Sequence, residues 1–148
     1  MRIFALATVA LAALAAVPAH ANEARVEARG GVAWAGGASE ATAGVAAGYD
    51  FDLGDSAFFG VEGSADKVLV DGADVVFGVT GRLGAKVGEK GKLFAAGGYS
   101  FNDGDAWHLG GGYEHLITDN VYLKVEYRHY FDDFIDVNSA VAGVGVKF

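Results

Sequence analysis

From residue 22 to the end of the chain, apolar and polar residues change places one position at a time. They do not recur at the three- and four-residue spacing of a helix. The alternation runs through 22–35, 41–53, 57–67, 74–88, 92–102, 106–117, 121–131 and 139–148. Period two marks an extended strand, whose successive side chains point to opposite faces. Between the runs stand Gly36-Gly37-Ala38-Ser39, Gly54-Asp55-Ser56, Val70-Asp71-Gly72-Ala73, Glu89-Lys90-Gly91, Asp103-Gly104-Asp105, Thr118-Asp119-Asn120 and the stretch from Asp132 to Asn138. Gly, Asp and Asn supply the backbone conformations that tight turns need. The pattern predicts eight strands joined by short connections, in one all-β domain over 22–148.

The two faces of each strand differ. In the fourth run Val75, Phe77, Val79, Leu83 and Val87 oppose Asp74, Thr80, Arg82 and Lys86. In the seventh, Val121, Leu123, Val125 and Tyr127 oppose Tyr122, Lys124, Glu126 and Arg128. Tilted strands that cross a membrane have about this length and this dyad period. An even number of strands closes on itself and leaves no unpaired edge in lipid. The expected architecture is an eight-stranded antiparallel up-and-down transmembrane β-barrel.

A soluble periplasmic carrier of the lipocalin kind would alternate in the same way with its faces reversed. The aromatic residues favour the membrane. Trp34, Tyr99, Phe101, Trp107 and Phe131 fall on the apolar face near one set of strand ends. Tyr49, Phe51, Phe59, Tyr113 and Phe148 fall near the other. Two aromatic girdles around a band of Val, Leu, Ala and Gly suit the two interfaces of a bilayer. Large aromatics in a soluble core would sit in the middle, where burial is deepest. The opposite face carries Arg25, Glu27, Arg29, Glu62, Arg82, Lys86, Glu114, Lys124, Glu126, Arg128 and Lys147, interspersed with small residues. Both signs alternate, as expected of a charge network filling a narrow lumen.

The start of the chain changes the picture in one respect. Arg2, an apolar run from Phe4 to Val17, and Pro18-Ala19-His20-Ala21 read as a secretory signal over 1–21, cleaved before Asn22. The run is shorter than the ~20 residues a helical span needs. The sole proline is Pro18, so none interrupts a strand ladder. Cysteine is absent, which rules out disulfides and thiol chemistry. The formal net charge of −8 argues against a nucleic-acid partner.

Two stretches carry a family resemblance. Ala142-Gly143-Val144-Gly145-Val146-Lys147-Phe148 resembles the C-terminal assembly signal of outer-membrane barrels, with Gly143, Val146 and Phe148 in the matching places and Ala142 where a polar residue is usual. The stretch from Tyr113 to Arg128, with Glu126-Tyr127-Arg128 closing its second strand, resembles the penultimate hairpin of the OmpA/OmpX and opacity-protein superfamily. The resemblance implies a monomeric outer-membrane barrel without a peptidoglycan-binding domain. It implies contact with outer-membrane lipid and lipopolysaccharide, and with periplasmic chaperones and the barrel-assembly machinery during biogenesis.

Candidate chemistry is sparse. His108, His115 and His129 share no metal-ligand spacing, so neither a metal nor a cofactor is expected. A hydrolytic trio would have to be drawn from Ser139, His129 and Asp132, which no motif joins. Asn102-Asp103-Gly104-Asp105 lacks the remaining ligands of a calcium loop and reads as a turn. Acidic loops carrying Glu40, Asp71, Asp103, Asp105, Asp132, Asp133 and Asp136 read as solvated, or as able to bridge divalent cations to lipopolysaccharide phosphates. The expected role is non-enzymatic, structural or in surface interaction. A narrow channel and a lipid A-modifying enzyme are the other readings. One contact follows from register. With Thr118-Asp119-Asn120 as a three-residue loop and Asn120 left-handed, Glu114 stands opposite Lys124, and the two are expected to form an ion pair.

Overall fold

The computed structural model describes residues 22–102 and 105–148. The expected signal segment therefore lies outside the described residues, as do Asp103 and Gly104. Eight strands follow one another: β1 (Asn22–Ala35), β2 (Ala38–Leu53), β3 (Ala57–Val68), β4 (Val75–Val87), β5 (Gly91–Phe101), β6 (Ala106–Leu116), β7 (Val121–Phe131) and β8 (Val137–Lys147). Each pairs antiparallel with the next, and β1 pairs with β8, so the sheet is a closed barrel. Closure runs from Arg25 opposite Lys147 to Trp34 opposite Asn138, which leaves neither terminal strand with a free edge.

The connections sort the barrel into two rims. The loop rim carries β1–β2, β3–β4, β5–β6 and β7–β8. The turn rim carries β2–β3, β4–β5 and β6–β7 together with Asn22 and Phe148, because an even strand count returns the chain to its starting end. At the loop rim the first hairpin is tighter than its sequence suggests. Ala35 pairs with Ala38, so Gly36 and Gly37 alone make the turn, at φ of 56° and 88°. Left-handed conformations at both central residues give a turn whose twist matches that of its strands. The ladder therefore reaches Ala38, past Glu40 and Ser39, where apolar alternation is missing.

Burial inverts the pattern of a soluble protein. Val79, Leu83, Leu109 and Val125 are each more than half exposed on the outer surface, and Val79 reaches 61%. Arg25, Glu114, Lys124 and Arg82 are buried inside. A lipocalin-like carrier requires the reverse, and the fold excludes it. Among the described residues, a small apolar cluster of Phe58, Phe94 and Ala96 lies within the barrel.

Candidate functional site: lumen and outer surface

The strand pleat aims one side chain in two at the barrel axis, so the interior is built from single positions of all eight strands. Near the turn rim, Asp50 of β2 accepts from Arg82 of β4, whose Nε lies 2.9 Å from Oδ1 and whose Nη2 reaches Oδ2. Lys92 of β5 adds a contact 3.2 Å from the same carboxylate and also donates to Glu23 of β1. Aromatic faces line this layer. The Arg82 guanidinium sits 5.2 Å from the Phe58 ring centroid and 4.9 Å from that of Phe94. Lys147 sits 5.3 Å from the Tyr122 ring, and Tyr122 donates to Glu27 at 2.9 Å. Cations over ring faces keep their charge stabilised where water is excluded.

The middle layer centres on Glu62 of β3. Arg25 Nη1 lies 2.7 Å from it, Arg128 Nη2 2.9 Å, Arg29 Nη1 3.1 Å and Lys124 Nζ 3.9 Å. Arg29 also grips Asp66 with two parallel hydrogen bonds, of 2.8 and 2.5 Å. Lys124 reaches Glu27 at 2.8 Å and Glu126 at 3.2 Å, while Arg128 donates to Glu126. Arg25, Arg29, Arg82, Lys92, Lys124, Arg128 and Lys147 thus interlock with Glu23, Glu27, Asp50, Glu62, Asp66, Glu114 and Glu126. Cations and carboxylates match one for one, so this interior is electroneutral and the chain's net charge of −8 is carried outside it. Buried charges hold only when paired in this way.

Towards the loop rim, neutral polar side chains join the charged lining. His108 spans two hydroxyls, with Nε2 2.9 Å from Thr80 Oγ1 and Nδ1 3.2 Å from Ser100 Oγ. Gly98 lets the β4 backbone and that ring pack close, since a Cβ there would lie 2.1 Å from Val79 O and 2.9 Å from Nε2. Beyond lies a vestibule of about 200 Å³ whose lining includes Arg29, Asp66, Ser100, Arg128, Tyr130 and Ser139.

An apolar belt facing out and interlocked charges facing in describe a barrel whose solvent is lipid. The sequence agrees, matching the outer membrane protein beta-barrel domain over residues 5–148. The chain belongs to that family. It is a protein of the bacterial outer membrane. It is 32% identical over 127 residues to the 25 kDa outer-membrane immunogenic protein of Brucella ovis, an alignment covering 72% of this chain and 63% of that relative's length. Among solved structures, the N-terminal β-barrel domain of Pseudomonas aeruginosa OprF superposes with a TM-score of 0.65 at 15% identity, covering 85% of this chain and 97% of that one. Ail, the attachment invasion locus protein of Yersinia pestis, gives 0.61 at 17% identity, covering 88% and 100%. At these identities the structural likeness concerns the fold.

This outer-membrane barrel brings most of the expected lumen residues together. Lys86 stands apart, half-buried at the turn rim and 2.9 Å from Asp52. The expected Glu114–Lys124 ion pair does not form. Their register is as expected, with 114 opposite 124, and both side chains are about 1% exposed. Yet Glu114 is taken by Lys147 at 2.5 Å and Arg82 at 3.1 Å, while Lys124 turns to Glu27. Asn120 is not left-handed either. Thr118 Oγ1 instead accepts from Asn120 N at 3.4 Å and Val121 N at 3.1 Å, which shapes the turn without a positive φ. The hydrolytic trio falls apart, because Ser139 points into the barrel and His129 points out. The sequence reading missed Asp50, Lys92, Glu23 and Asp66. Their strand parity would have found them, since Asp50 alternates with the outward Tyr49 and Phe51.

On the outer surface, two aromatics expected at the loop rim, Tyr99 and Trp107, meet at 5.0 Å, and a third, Phe101, meets Phe77, which is outside the expected set, at 6.0 Å. At the turn rim Phe51 bridges Tyr49 and Phe59, with centroids 4.8 and 6.4 Å apart. Phe148 closes its strand by donating N–H to Ala24 O at 2.8 Å. Gly143 leaves space for Glu27, whose Cδ would lie 2.8 Å from an added Cβ.

Proposed function

We propose that this outer-membrane barrel is a non-enzymatic surface protein. It holds short acidic loops outside the cell on a rigid, plugged cylinder. The observation that carries this reading is Glu62, buried among Arg25, Arg29 and Arg128 at 2.7–3.1 Å from each, in the middle of the lumen. In this reading, four long side chains paired across the axis close the bore to water. Eight strands enclose a bore that side chains can fill. The names of two similar proteins, an immunogenic outer-membrane protein and an attachment invasion locus protein, fit a surface role.

In this reading residues 1–21 direct export and are removed. Gly143, Val146 and Phe148 engage the assembly machinery, which periplasmic chaperones supply with unfolded chain. The turn rim faces the periplasm, and the loop rim faces the medium. The two aromatic rings lie at the two interfaces, against phospholipid on one side and lipopolysaccharide on the other. Planar-bilayer recording from the purified, refolded barrel tests the plug. The expected trace shows no conductance steps above the lipid baseline. Stable, reproducible steps from the wild-type protein would replace this reading with a narrow channel.

A further inference from the structure

Polar side chains on a lipid-facing surface are costly at mid-depth and tolerable only near an interface. One group of them clusters on the outer surface at the loop rim, where β7, β8 and β1 adjoin. Asn138 is the ladder partner of both Trp34 and His129. Its Oδ1 accepts from Tyr127 Oη at 2.5 Å and from His129 Nδ1 at 2.8 Å. Asp136 Oδ2 lies 3.5 Å from His129 Nε2. Trp34 and Tyr127 make the walls of a shallow V, with ring centroids 6.2 Å apart and planes at 43°.

We infer that Trp34, Tyr127, His129, Asn138 and Asp136 form a binding patch for the sugar headgroup of an outer-leaflet glycolipid. The chemistry on offer decides the class. Asn138 spends its oxygen within the cluster and keeps its amide donors for an outside acceptor. With Nδ1 donating, His129 presents Nε2, and Asp136 presents a carboxylate beside it. Adjacent donors and acceptors match vicinal hydroxyls, each of which can donate and accept. The indole face suits the apolar C–H face of a pyranose ring. An acyl chain would leave the polar groups unmatched, and a bare phosphate would meet Asp136. A belt that only positions the barrel needs no such set. Phe77 and Phe101, across the barrel on β4 and β5, are a purely hydrocarbon pair at the same rim.

The inference rests on the outward orientation of the loop rim proposed above. Its test uses the full barrel in nanodiscs that mix a lipid A glycolipid bearing core sugars with phosphatidylethanolamine, read by native mass spectrometry. Wild type is expected to retain glycolipid in preference to phospholipid. Trp34→Leu and Asn138→Leu should each weaken retention about tenfold, equivalent to about 1.4 kcal/mol. Trp34→Tyr and Phe77→Leu should retain it. Heat-modifiability on unheated gels confirms that each variant is folded. Equal loss in Phe77→Leu, or equal retention of phospholipid, would overturn the inference. Binding of the delipidated core oligosaccharide as tightly as the glycolipid would also overturn it, in favour of a soluble glycan. Thiol labelling of an Asp133→Cys variant on whole cells reads orientation by itself, which separates a failed site from an inverted barrel.

Discussion

Glu114 and Lys124 show how far a residue's neighbours along the ladder determine its partners. On an open sheet the directly opposite side chain is the nearest candidate. Inside an eight-stranded barrel, side chains from across the axis come equally close, and length and direction decide. Glu114 meets Lys147 and Arg82, and Lys124 meets Glu27, although 114 and 124 share a rung. Period-two reasoning thus made the rung legible and left the ion pair illegible, since the choice depends on strands distant in sequence. A double-mutant cycle of Glu27→Gln with Lys124→Met should give a coupling well above the roughly 0–1 kcal/mol of surface pairs. The cycle of Glu114→Gln with Lys124→Met should give less. Urea unfolding in vesicles supplies both numbers, and the reverse order would contradict the contacts. On the outer face, Val79→Arg should cost about 2–4 kcal/mol in the same assay, as a cation placed near mid-bilayer does. An unchanged midpoint would place Val79 in water.

At the scale of elements, strand number, order and most boundaries were readable from alternation alone. The exception is the start of β2. Ala38, Ser39 and Glu40 carry no apolar period, and the two left-handed glycines that let the ladder continue look in sequence like part of a longer loop. The β6–β7 turn has the expected length but a different origin. Its shape comes from the Thr118 hydroxyl, so Thr118→Ala should lose about 0.5–1.5 kcal/mol, the net worth of a hydrogen bond. Asn120→Gly should bring no gain, because no positive φ is there to relieve. A stabilised Asn120→Gly barrel in equilibrium unfolding would restore the left-handed turn. For β8, deleting Phe148 should reduce outer-membrane insertion more than Lys147→Met does. Pulse-chase assembly, scored by the heat-modifiable band, makes the comparison. Equal yields would remove the terminal aromatic from the assembly signal.

For the whole molecule, charge is partitioned by topology. The interior pairs cations with carboxylates one for one, so the net acidity of the chain belongs to its loops, turns and strand ends. Composition gave the total but not the partition, which needs every strand's parity at once. The same parity sets the apolar side chains against lipid and makes the polar interior, rather than a hydrophobic core, the packed part of the protein. Single-tryptophan fluorescence tests that inside-out arrangement directly. In a Trp34→Phe, Trp107→Phe background, Val79→Trp should be strongly quenched by lipids brominated along their chains. Phe94→Trp, buried in the lumen beside Arg82, should be quenched neither by those lipids nor by aqueous iodide. Quenching of Phe94→Trp by brominated lipid, or its ready quenching by iodide, would contradict a lipid-facing apolar surface around a packed, water-excluding lumen.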